Sequence, residues 1–222
     1  MGIPGPKPKG KATRTWSPEL AYAVGLLATD GCLSGDGRHV DLTSKDIDQL
    51  ENFMKCIGVV HKISQKKSGY NGGIQSRVQF SDVLFYNFLV SIGLTPAKSK
   101  TMGVLAIPSK YFFDFLRGSF DGDGCFYSYF DPRWKSSFMY YIMYSSASMT
   151  HLEWLRGELK NALGVTGHIT TGGPYANVFN LKYAKKEALK ILKKMYKDKK
   201  CVYLKRKLVK VKKALQISGE ML

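Results

Sequence analysis

Acidic residues are scarce in this chain. Only 17 Asp and Glu stand against 34 Lys and Arg, which leaves a formal net charge of +17 over 222 residues. Such an excess favours association with a polyanion, either nucleic acid or an acidic membrane surface. Long apolar runs are missing as well. No stretch approaches the roughly 18 residues of a spanning helix, and the N-terminus has no signal-peptide core. Pro6 also stands where a myristoylation motif wants Ser or Thr. No membrane partner is expected. Cysteine is sparse: Cys32, Cys56, Cys125 and Cys201 form no CxxC pair, which argues against a disulfide framework or a zinc ribbon. The expected setting is an intracellular, reducing compartment (cytoplasm or organelle matrix) rather than secretion. What is present suffices for a core, with 44% hydrophobic and 13% aromatic residues.

Residues 1–15 carry Lys7, Lys9, Lys11 and Arg14 and no acid, and read as a flexible basic tail. Helical periodicity begins at Ser17-Pro18-Glu19, an N-cap, a first-turn proline and a first-turn acid. That helix is apolar on nearly every side and stops at Asp30-Gly31. The segment Tyr111 to Asp123, stopping at Gly124, repeats it at an offset of 93. After the first helix the pattern predicts a strand (40–44), a helix (46–57), a strand pair (60–66, 74–81) and a helix (82–92). After the second it predicts a strand (138–146), a helix (150–163), a strand pair (167–171, 176–183) and a helix (185–196). Ser44 is aligned with Ser148 and Arg77 with Asn180, which places an 11-residue insertion within 128–137. Two α-β-α-β-β-α halves follow, 16–94 and 111–222, joined by a linker at 95–110.

Gly25 and Gly118 sit in mid-helix, where glycine costs about 1 kcal/mol relative to alanine. Ala21, Gly25 and Ala28 share one helix face, and Gly118 and Gly122 share one on the other, so the two backbones can approach closely. Asp30 and Asp123 then fall at the C-terminal ends of both helices, facing the negative end of each dipole. Brought side by side, the two acids also repel each other. A divalent cation between them reverses both penalties. Each Asp-Gly taken alone is a helix-ending turn. Two at equivalent positions of a repeat point to a metal site.

The segments Ala23-Val-Gly-Leu-Leu-Ala-Thr-Asp-Gly31 and Leu116-Arg-Gly-Ser-Phe-Asp-Gly-Asp-Gly124 resemble the LAGLIDADG signature of homing endonucleases, with Ala28 in place of the first motif's earlier acid. The resemblance implies an α+β fold of two pseudo-symmetric halves, each a curved antiparallel sheet backed by helices, with the motif helices packed at the centre. It implies metal contact from Asp30 and Asp123 and from the carbonyls of Thr29 and Gly122. Lys98 resembles the family's basic residue before the second motif helix, and Lys207 its partner near the C-terminus, with Lys205 and Arg206 as competitors. Ser44 and Ser148 fall where the family places water-ordering residues; plain N-caps explain them equally well. The implied cofactor is Mg²⁺, with Mn²⁺ as a substitute and Ca²⁺ supporting binding without cleavage.

On the strands, Gln75, Arg77 and Gln79 share one face, Val178, Asn180 and Lys182 share its counterpart, and Lys62, Ser64 and Lys66 line the neighbouring strand. These side chains can read base edges in a major groove, and no Asp or Glu stands among them. The expected activity is cleavage of both strands of a long, asymmetric DNA site by a monomer, leaving short 3′ overhangs. Two rivals keep the fold: a maturase that binds group I intron RNA, and a DNA-binding regulator without catalysis. Intact acids argue against the first as a sole role. Against the second, no length is left over for a helix-turn-helix region. No splicing-type residues point to an intein.

Overall fold

The protein is described here by a computed structural model covering residues 10–67, 72–172 and 177–222; Lys7 and Lys9 of the basic tail lie outside the described residues. Pro18–Thr29 forms α1 because Ser17, in extended backbone, accepts the N–H of Leu20 at 3.1 Å, and Pro18 fills a first-turn position that needs no donor. Leu20 through Ala28 are all buried, since this helix runs through the middle of the molecule rather than along a surface.

A hairpin of β1 (Gly31–Leu33) and β2 (His39–Ser44) follows, then α2 (Ile47–Ile57), β3 (Ser64–Lys67), β4 (Ile74–Ser81) and α3 (Val83–Ser91). After a 3-10 turn at Ser109–Tyr111 the order returns as α4 (Phe112–Asp121), β5 (Cys125–Phe130), β6 (Phe138–Ser146), α5 (Met149–Leu163), β7 (His168–Thr171), β8 (Phe179–Ala184) and α6 (Lys185–Met195); α7 (Lys205–Ile217) is added at the end. Each half builds a four-stranded antiparallel sheet, in the orders β1-β2-β4-β3 and β5-β6-β8-β7. The architecture is α+β, with two like sheets backed by helices.

Four details differ from the sequence expectation. Each half has an extra first strand. β1 is only three residues long, too short to show alternation, and β5 falls where the repeat breaks. Val60 to Ile63 are not in a strand, which leaves Lys62 exposed ahead of β3, and Val178 precedes β8. The counterpart of Ser44 is Ser146, not Ser148. Ser44 accepts the N–H of Asp46 and Ser146 that of Ser148, and each ends the second strand of its hairpin. The insertion is therefore two residues shorter, and it lengthens the β5–β6 hairpin. Finally, the chain from Lys11 is packed rather than free. Asp82 caps α3 by accepting the Phe85 N–H through Oδ1, while its Oδ2 accepts the N–H groups of Lys11 and Ala12 at 2.5 and 2.9 Å.

α1 and α4 cross with their backbones touching. A Cβ built on Gly25 would overlap the Phe115 carbonyl oxygen and lie 2.7 Å from the Ser119 nitrogen; one on Gly118 would overlap the Tyr22 carbonyl oxygen and stand 3.1 Å from the Gly25 Cα. Neither obstacle is a side chain that can swing away. Gly118→Ala should therefore cost about 1–3 kcal/mol or more through overpacking, lowering the melting temperature by roughly 2–4 °C per kcal/mol for a chain of this size. A thermal melt matching the parent's would remove the close-packing argument.

Candidate functional site

Because the crossing point is fixed at the two glycines, the C-terminal ends of α1 and α4 emerge together. Gly122, just before Asp123, lies against the other helix's end: a Cβ there would overlap the Thr29 hydroxyl and stand 3.0 Å from Asp30 Oδ2. Asp30 is half-buried, and its Oδ2 accepts a hydrogen bond from Gln49 Nε2 at 3.1 Å. Gln49 is itself buried, at 2% exposure, and takes the Ser44 hydroxyl on Oε1 at 3.0 Å. The chain Ser44–Gln49–Asp30 thus aims one carboxylate. Burial and then the neighbouring Asp123 charge push the Asp30 carboxyl up to about 6, against the opposing pull of Gln49, Lys207 and Lys98. Asp123 opens to solvent on one side, yet the protein crowded around it raises its pKa too.

Two lysines complete the centre, one from each side. Lys98 is 6% exposed and donates to the Gly31 carbonyl. Ala97, immediately before it, is held at φ 53°, a left-handed conformation costly for a non-glycine residue and typical of strain stored at functional sites. Lys207 donates to the carbonyls of Phe120, Gly122 and Gly124 at 2.5, 2.7 and 2.7 Å. Gly31 and Gly124 are repeat counterparts, so the two ammonium groups hold equivalent places at the ends of α1 and α4. Burial lowers both lysine pKa values, that of Lys207 to about 8. Its neighbours are placed otherwise: Lys205 is exposed, and Arg206 pairs with Asp46 at 2.7 Å.

A cleft flanks each acid. One of about 190 Å³ beside Asp30 is lined by Ser44, Gln49, Gln75, Gly122 and Arg206. The other, of about 80 Å³, lies beside Asp123 and is lined by Lys98, Ser119, Tyr144 and His151. His151 occupies in α5 the place of Gln49 in α2, but its ring contacts the Gly103 carbonyl at 3.0 Å and does not reach Asp123. Ser148 caps α5 through the His151 N–H and donates to the Met102 carbonyl. Ser148 and His151 together therefore pin the 95–110 segment that carries Lys98.

The open face of the first sheet brings together Lys66, Gln75, Arg77 and Gln79, and adds an acid. Asp41 on β2 faces Gln79 in register, and its Oδ2 lies 3.3 Å from Arg77 Nη1 and 3.7 Å from Lys66 Nζ. The expectation of an acid-free face is thus corrected, because β2, the strand that contributes Asp41, was not counted as part of it. Ser64 turns its hydroxyl to the Arg77 carbonyl rather than outward. On the second sheet Asn180 accepts the Ser145 hydroxyl at 2.7 Å, and Lys182 pairs in register with Met143.

No protein-family model and no curated protein matches the sequence. Solved structures do. The LAGLIDADG homing endonuclease I-GzeII in complex with DNA target superposes with a TM-score of 0.60 at 12% identity, covering 92% of this chain and 92% of that one. I-DmoI in complex with DNA and Ca gives 0.54 at 16% identity, covering 82% and 90%; an I-DmoI variant was also crystallised with its target DNA and Mn. Full-length DUF199/WhiA from Thermatoga maritima gives 0.53 at 15% identity, covering 92% and 69%.

The chain has the LAGLIDADG fold. The two segments that resemble the LAGLIDADG signature are the helices α1 and α4, and three residues in or beside them were not singled out by the sequence. Gln49 was legible in principle, being a polar residue on the apolar stripe of Leu50 and Phe53. Asp121, fully buried, accepts the Tyr22 hydroxyl at 2.8 Å and the Leu204 N–H at 2.7 Å, which ties the LAGLIDADG helices to each other and to the start of α7. Arg117, also buried, donates to the Met195 and Val202 carbonyls. Nothing local marks either role.

A folded-state pKa raised for a carboxyl means that ionisation opposes folding. The stability linked to protonated Asp30 is full below its ordinary value of 3.8 and is lost as pH rises through about 6. In metal-free buffer Asp30→Asn should therefore melt above the parent at pH 7.5, with the difference closing below about pH 4. Equal melting temperatures at pH 7.5 would show that Asp30 bears no such penalty.

Proposed function

We propose that this chain is a site-specific double-strand DNA endonuclease of the homing type, acting as a monomer with a divalent metal held between Asp30 and Asp123. The observation that carries the reading is the pair of repeat-related acids set together at the ends of the crossed helices, each flanked by a cleft, with the buried Lys98 and the half-buried Lys207 beside them. The donor set fits a hard cation. Its oxygens are the two carboxylates, with the Thr29 and Gly122 carbonyls as further ligands by the resemblance, and among the described residues no cluster of three or more His, Cys, Asp or Glu competes. Mg²⁺ suits one or two carboxylates with the remainder of its shell from water and substrate phosphate.

A metal bound there supplies neutralisation of phosphate charge and a more acidic attacking water. The protein does the rest. Ser44 and Gln49 keep Asp30 oriented. The charge that develops on the phosphate oxygens meets the ammonium groups of Lys98 and Lys207, fixed by carbonyls and poorly hydrated, which strengthens their pull. Lys207, lowered to about 8 by burial, would give a proton to the departing oxygen once it releases one of the three carbonyls it holds. The two sheets would lie along the duplex. Because they differ, the site would be asymmetric, with cuts offset to leave short 3′ overhangs. An intron-encoded origin and an intracellular setting fit this activity.

Asp30→Asn and Asp123→Asn should each abolish double-strand cleavage while leaving binding in Ca²⁺ within severalfold of the parent, because the acids hold metal and do not set register. The substrate is found by selecting cleaved duplexes from a randomised library with Mg²⁺. Cutting of both strands at parental rate by either variant would dismiss a shared site. Arg77→Ala should cost about 1–3 kcal/mol in binding and relax one or two base positions. A uniform loss across all sequences would make Arg77 a phosphate contact instead.

A further inference from the structure

The two sheets occupy equivalent places but carry different chemistry. On the first, Asp41, Lys66, Arg77 and Gln79 form a polar, mixed-charge face. On the second, Met143 stands where Asp41 stands and Tyr141 where His39 stands, by the register of β6 with β8 against that of β2 with β4. The lengthened hairpin extends this surface. Tyr127 and Tyr141 are paired in register with ring centroids 5.0 Å apart and planes within 11°, and Tyr129 stacks on Tyr141 at 6.2 Å and 7°. Met139 and Met143 share this face with the three tyrosines, Tyr129 is 42% exposed, and no carboxylate occurs on any of the four strands.

Asn180 and Lys182 keep hydrogen-bonding groups on β8, but the β5–β6 part of this face is built from aromatic rings and methionines. It offers apolar contact, and the one apolar group that distinguishes bases in the major groove is the thymine C5-methyl. The absence of acid and the chain's charge of +17 leave the face compatible with a polyanion. We infer that the second half recognises its half-site through thymine methyl groups seated on the Tyr127–Tyr141–Tyr129 wall, whereas the first half reads by hydrogen bonds. This inference rests on the duplex-DNA reading above.

Deoxyuridine replaces thymine with loss of the methyl alone. Binding in Ca²⁺ is measured on the selected duplex after thymines are replaced by deoxyuridine in one half-site at a time. The half-sites are assigned by the positions that Arg77→Ala relaxes. Substitution in the second half-site should weaken binding about fourfold per contacted methyl, the equivalent of one buried carbon, and substitution in the first should leave it near unchanged. In the Tyr129→Ser protein, altered at an exposed position, the second half-site should lose part of its deoxyuridine sensitivity. The substituted duplexes need no protein variant, so a folding defect cannot mask the result. If a preferred duplex emerges and neither half-site, or both equally, responds to methyl loss, the thymine assignment alone falls. If no preferred duplex emerges, the duplex-DNA reading falls and takes this inference with it.

Discussion

At the crossing of α1 and α4, the Phe115 and Tyr22 carbonyls take the space that side chains at Gly25 and Gly118 would fill. Every other feature of the centre depends on that contact. It sets the separation of the helices, and so brings their C-terminal ends out together with Asp30, Gly122 and Asp123 in one cluster. It also leaves Leu20 to Ala28 of α1 without a water-facing side, which is why that stretch is apolar apart from the Tyr22 hydroxyl. Tyr22 and Asp121 reinforce the crossing from within, and the Leu204 N–H on the same carboxylate fixes where α7 begins and hence where Lys207 points.

The site is assembled under electrostatic tension. Burial raises the pKa of both carboxyls, and burial also lowers those of the two ammonium groups nearby, Lys98 buried and Lys207 half-buried. Such opposed shifts mark groups held for chemistry more often than groups held for stability. Here each lysine is held by a carbonyl at the end of one of the crossed helices, Lys98 by Gly31 and Lys207 by Gly124 among others. Lys207 currently bonds the Gly122 carbonyl, so its position and the ligand set at that end of the site are coupled.

The pseudo-symmetry is incomplete in ways that bear on function. Gln49 steers Asp30, whereas its counterpart His151 is turned to the linker and leaves Asp123 without that support. The first sheet carries an ion-paired polar face and the second a tyrosine wall. Two halves related by repetition have thus diverged at the acids' surroundings and at the surfaces flanking them, while the helix crossing stayed alike.

The helices, the repeat, the paired Asp-Gly ends and the mid-helix glycines were all readable from residue order, because periodicity, capping and the cost of glycine are local properties. Most strands were readable for the same reason. The three-residue β1 was too short to show a period, and the repeat register slipped by two at Ser148, where serines two apart look alike until their hydrogen bonds are seen. Partnerships across the chain were out of reach of the sequence: Gln49 with Asp30, Asp41 with Arg77, Asp121 with Leu204, and Lys207 rather than Arg206 at the end of α4. Each joins residues 19 or more positions apart, and only packing around the glycine crossing decides which of several similar side chains arrives there.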